Sequence, residues 1–217
     1  MLGVTASNEK RHSLPNERRL TKMVPSRDEA LALVDEYTES PSLRRHMLAV
    51  EAGMRAYAQR YGEDAALWGV TGLLHDFDYE RWPNDAQTPD QEHPTTGVTI
   101  LREKNVDESI LHAIMAHADY TGVKASSLMA RTLRAVDDLT GFLVACALVR
   151  PTKLQGMKAK SVRKKMKDKA FAAAVSREEM RQNCEELGED MSEHITFVIE
   201  AMQGIADKLG LSGDEAT

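Results

Sequence analysis

The sequence predicts an all-α protein. Apolar residues recur at helical spacing through most of the chain, and Ser, Asp, Gly and Pro stand where helices start and stop. No segment shows a sustained strand alternation bounded by turn residues, and there is no internal repeat.

Residues 1–22 lack apolar periodicity and read as a flexible extension. Met23-Val24-Pro25 begins the domain, which is expected to run to residue 217. Ser26 and Glu29 form a capping box, so the serine hydroxyl and the glutamate carboxylate each satisfy a backbone amide at the helix start. Leu31, Val34 and Tyr37 give that helix one apolar side until Ser40-Pro41. A second helix, about 42–61, carries Leu43, Met47, Val50, Met54 and Tyr57 and stops at Gly62. Asp64 caps a third, which runs through Leu67, Trp68, Val70, Leu73 and Leu74 to His75. The prolines, aspartates and glutamines of 77–92 read as a surface loop. Pro94 opens a helix ending near Asn105, Asp107 caps the next, and Ser126 or Ser127 opens a long apolar helix that Pro151 closes. Three more helical stretches follow, at about 160–174, 177–187 and 192–209.

Composition narrows the function. An apolar fraction of 42% supports a core, and no apolar run approaches the length that crosses a bilayer. The polar start MLGVTASNEKRHSLPNERRLTK is no secretory signal, so a cytoplasmic protein with no membrane association is expected. The net charge of -6 argues against general nucleic-acid binding. Residues 150–169 depart from that balance, with nine Lys or Arg against Asp168 alone. Such a run is most simply a solvated helix face, or else an anion-binding patch. Cys146 and Cys184 are far apart and fit no thiolate metal motif, so they are expected as buried free thiols.

The histidines and aspartates carry the chemical signal. His46 lies beside the apolar stripe of the second helix, where a lone histidine is more commonly a core or surface residue than a ligand. His75-Asp76 ends the third helix, the place where adjacent side chains can turn toward one ion. His93 precedes Pro94 at a helix start, and His117 follows Ile114 by three residues on a buried face. Asp137 sits among Leu133, Val136 and Leu139, where a carboxylate is costly without a partner. A metal would supply one.

The order His46, His75-Asp76, His93, His117, Asp137 resembles the HD superfamily of metal-dependent phosphohydrolases, over roughly residues 26–150. HPTTGVTIL, around His93, and AIMAHAD, around His117, are similar to the dinuclear branches. The resemblance implies an HD-domain helical bundle with additional C-terminal helices over 151–217. It also implies one metal at His46, His75, Asp76 and Asp137, and a second at His93 and His117 with Asp76 bridging. Mn or Fe is expected first, with Ni, Co or Zn compatible with the same ligand types. The chain departs from the HDIG form: Phe77-Asp78-Tyr79 follows the doublet, Tyr79 replaces the phosphate-binding lysine, and no GYP motif is present.

The implied chemistry is hydrolysis of a small phosphorylated substrate, a nucleotide or phosphomonoester, by a metal-activated water or hydroxide. Asp76 belongs to that machinery. Asp78 and Glu80 are candidate proton donors, as is Asp138, each otherwise an exposed or hydrogen-bonded carboxylate. Arg81, Lys124, Arg150, Lys160 and Lys164 are candidate phosphate-binding cations, each otherwise a surface residue. His112 and His194 are left outside the site, the latter expected to be exposed. The competing readings are phosphodiester or phosphotriester cleavage, a di-iron oxygenase on the same ligands, and a binding module with a relic site. The long apolar helix and eleven methionines would support a homodimer.

Overall fold

The computed structural model describes residues 22–213, so the extension expected over 1–22 lies, apart from Lys22, outside the described residues. These residues form ten α-helices and no strand. The helices are α1 (Arg27–Tyr37), α2 (Pro41–Tyr61), α3 (Ala65–Leu74), α4 (Thr95–Glu103), α5 (Glu108–His117), α6 (Leu128–Leu148), α7 (Ala159–Met166), α8 (Arg177–Leu187), α9 (Met191–Gln203) and α10 (Ala206–Leu209).

Local chemistry sets the helix ends. The Ser26–Glu29 capping box is formed in full. Asp64, Asp107, Ser127, Ser176 and Asp190 accept the first free amides of α3, α5, α6, α8 and α9. Gly62 closes α2 in the left-handed conformation, at φ 72°.

Helix α2 divides two apolar clusters. Its Ala49, Val50, Met54 and Tyr57 pack with α6, α8 and α9. Met47, on the other side, joins Leu73, Leu74, Phe77, Leu101 and Ile114 from α3, α4, α5 and the segment after α3. Gly53 lets α2 and α6 approach closely, because a Cβ there would lie 2.5 Å from Val136 Cγ1. The ligand-type residues fall along the seam between the clusters, next to Met47, Leu74, Ile114 and Val136.

Three expectations are corrected. The stretch 160–174 is not one helix. After Met166 the chain turns, and Arg177 holds that turn by donating to the carbonyls of Phe171, Ala172 and Val175 while lying 4.8 Å from the Phe142 ring. The stretch 192–209 breaks at Gly204 into α9 and α10. His194 is buried rather than exposed, because α9 packs against α2: Tyr57 Oη bonds its Nδ1 at 2.6 Å, and its Nε2 donates to the Ala135 carbonyl at 2.9 Å. Both cysteines are free and buried, as expected.

Candidate metal centre

Six side chains converge from α2, the end of α3, the start of α4, the end of α5 and the middle of α6. They form two sets of three: His46, His75 and Asp137, and Asp76, His93 and His117. In the first set His46 Nε2 lies 2.9 Å from Asp137 Oδ1 and 3.2 Å from His75 Nε2. In the second, His93 Nε2 lies 3.3 Å from His117 Nε2. Asp76 joins them. Its Oδ2 is 3.3 Å from His75 Nε2 and 3.6 Å from His46 Nε2, while its Oδ1 is 3.4 Å from His93 Nε2 and 3.5 Å from His117 Nε2.

Helix ends fix the ring orientations. His75 is the C-cap of α3 and His117 the last residue of α5. Each directs Nδ1 to the carbonyl three residues earlier, Gly72 and Ile114, which the helix end leaves free. A carbonyl only accepts, so Nδ1 carries the proton and Nε2 keeps its lone pair for the interior. His93 is fixed differently: its Nδ1 bonds Asp78 Oδ1 at 2.8 Å, and Tyr120 Oη donates to its carbonyl.

This donor set fits divalent metal ions. His93 and His117 both hold their proton on Nδ1, so their Nε2 lone pairs face each other at 3.3 Å and repel unless a proton or a metal ion lies between them. Ligands held about 2.1 Å from an ion sit about 3 Å apart from one another, close to the separations here. Imidazole with carboxylate suits Mn, Fe, Co, Ni or Zn.

Without an ion, the carboxylates favour a proton on these same imidazole nitrogens. Burial lowers the His75 pKa, but Asp76 and Asp137 outweigh it and hold the imidazole well above its ordinary value. Burial raises Asp76 and Asp137, yet the facing histidines pull both below the usual carboxylate range. Next to Asp137, burial and that neighbouring charge push Asp138 up to about 7, although Asn183 of α8 donates to its Oδ2 at 2.9 Å.

The other site candidates are dispersed. Asp78 is not presented to a substrate: it is buried behind His93, with Oδ2 taking the Gly97 amide at 2.7 Å. Glu80 is tied as well, its Oε2 accepting the Glu39 and Ser40 amides at 2.9 Å just before α2. Arg81 donates to the Glu36 carbonyl and lies 4.6 Å from the Tyr37 ring. Lys124 is exposed, and its carbonyl accepts from His112. Arg150 donates to the Lys153 and Gln155 carbonyls and, with Lys164, lines a groove over Cys146. Cys146 is nine residues beyond Asp137, about two and a half turns, and so faces the opposite side of α6. Lys160 is exposed on α7, and no cation of 150–169 makes an ion pair among the described residues.

The residues not anticipated are supports: Gly97, Tyr120, Asn183 and the carbonyls of Gly72 and Ile114. Gly97 had a signal in HPTTG. A Cβ there would lie 2.7 Å from Asp78 Cγ, so only glycine admits the carboxylate.

No solved structure matches the chain. Residues 43–141 match the family model described as HD domain, a span that includes all six converging side chains and ends before α7. This chain therefore carries an HD domain, the hallmark of a superfamily of metal-dependent hydrolases.

Proposed function

We propose that the protein hydrolyses the phosphoester bond of a small substrate at a dinuclear centre, with Mn or Fe as the ions of first choice. The observation that carries this reading is the division of Asp76, whose two oxygens face separate sets of histidines. His46, His75, Asp76 and Asp137 would hold one ion, and Asp76, His93 and His117 the other. When bound, such a pair supplies Lewis acidity toward phosphoryl oxygens and lowers the pKa of water between the ions.

The chain's own groups do the rest. Gly72, Ile114 and Asp78 keep the imidazoles in the tautomer that binds metal. Hydrolysis forms a P–O bond to water, breaks the ester P–O bond, and must return a proton to the leaving oxygen. Asp78 and Glu80 are tied to backbone amides, so this reading takes as proton donor Asp138, beside Asp137 and pushed up to about 7 by burial and that neighbouring charge.

The test is hydrolysis of p-nitrophenyl phosphate and bis-p-nitrophenyl phosphate by protein purified without chelator and supplied with Mn or Fe. Turnover lost in Asp76→Ala is expected. Full activity in that variant, or oxygen consumption with an organic substrate in place of phosphate release, would overturn the reading.

A further inference from the structure

An open groove of about 400 Å³ runs beside the centre, lined by Ser40, Ser42, Leu43, His46, Tyr79, Glu80 and Pro83. His46 belongs to both groove and metal centre. Tyr79 connects the groove to the second set, its ring centroid 5.1 Å from that of His93. The volume is ordinary for a small organic ligand.

Two properties of the lining select the occupant. Tyr79 is 42% exposed, whereas its neighbour Phe77 is buried. With Leu43 and Pro83 it gives an apolar wall, and Ser40 and Ser42 add hydroxyls. Among the described residues, the groove also lacks a lysine or arginine. Arg44 is held by Asp35 at 2.6 Å and by the Thr38 carbonyl, Arg81 by the Glu36 carbonyl and Tyr37, and Arg45 is not among the lining residues. Apart from His46, the only charged side chain lining it among the described residues is the carboxylate of Glu80. A second phosphate or a carboxylate placed there would meet the Glu80 carboxylate and, among the described residues, no lysine or arginine.

We propose that the substrate is a phosphate ester of an uncharged, ring-bearing alcohol, either a nucleoside or a simple aryl alcohol, with its ring against Tyr79. This rests on the hydrolase reading for the phosphate and on the groove alone for the ring. Tyr79 thus occupies the position that the HDIG form fills with lysine, giving a stacking surface where a charge would grip further phosphate.

Hydrolysis of AMP, ATP, p-nitrophenyl phosphate and glycerol 1-phosphate by the metal-loaded protein and its Tyr79→Ala and Tyr79→Phe variants tests this. Wild type is expected to prefer a ring-bearing monophosphate to ATP and to glycerol 1-phosphate by at least about tenfold in kcat/KM. AMP over p-nitrophenyl phosphate would identify a nucleoside, and the reverse order an aryl group. Tyr79→Ala should lower the preference for the ring-bearing ester about tenfold through KM, with Tyr79→Phe restoring it. Equal use of AMP and ATP, or a fall in kcat alike for ring-bearing and ring-free esters, would overturn the proposal.

Binding of adenosine and of phenol to metal-free protein, followed by saturation-transfer NMR, reads the groove without hydrolysis. Contact that Tyr79→Ala loses and Tyr79→Phe keeps supports the ring site even if no ester is cleaved. Hydrolysis with no ring preference and no such contact would sink the ring site and leave the hydrolase standing.

Discussion

Asp76 differs from the other five converging residues in offering both oxygens, one to each set. Replacing a terminal ligand should therefore cost one ion, whereas replacing Asp76 should cost both. Asp78 acts one step behind, through His93 Nδ1. Asp78→Asn leaves one oxygen for two donors: with that oxygen on the Gly97 N–H, the NH2 group faces His93 Nδ1 and forces the imidazole proton onto Nε2, the nitrogen turned to the centre. Affinity for the second metal is expected to fall about 10- to 100-fold, measured by titration into chelated protein. Gly97→Ala should act similarly and destabilise the fold by about 1–3 kcal/mol, because the new methyl meets a buried carboxylate. Wild-type affinity and melting temperature in both variants would remove Asp78 from the site's support. The residues that converge were legible in sequence because His and Asp types recur at helix ends and within apolar faces. The role of Asp78 was not. It depends on a glycine nineteen positions away that sequence spacing does not bring into contact.

At the scale of elements, the helices were legible from spacing and caps, and the errors cluster where tertiary contacts decide. Arg177 determines the path of 167–175, and the contact of α9 with α2 buries His194. That contact carries a pH dependence. Burial lowers the His194 pKa, so the folded protein holds it neutral, while the unfolded chain takes up a proton near the ordinary value of 6.5. The unfolded state then binds more protons, and stability is lost as pH falls below about 6.5. Denaturant midpoints at pH 7.5 and 5.5 should fall further in wild type than in His194→Gln; an equal fall would place the acid sensitivity elsewhere. Tyr57→Phe leaves the His194 Nδ1 acceptor buried without its hydroxyl, at a cost of about 1–3 kcal/mol in the same measurement.

The described residues form two apolar clusters meeting at α2, with the candidate ligands along their junction. Side chains from five separated segments reach one point because both clusters are complete around them. Metal binding at that point would therefore be coupled to folding, and metal should raise the melting temperature in a concentration-dependent way. The raised His75 and His117 pKa values of the metal-free protein sharpen this, since protons compete for the same nitrogens and affinity should rise with pH. Of the cations of 150–169, Arg150, Lys164 and Lys165 line the groove over Cys146, on the side of α6 away from Asp137. The pairing of two ions through one aspartate is tested most directly by metal analysis of wild type and His93→Ala after loading with Mn and removal of free metal. Two equivalents in wild type and one in His93→Ala are predicted; one equivalent in wild type, or two in the variant, would contradict a dinuclear centre bridged by Asp76.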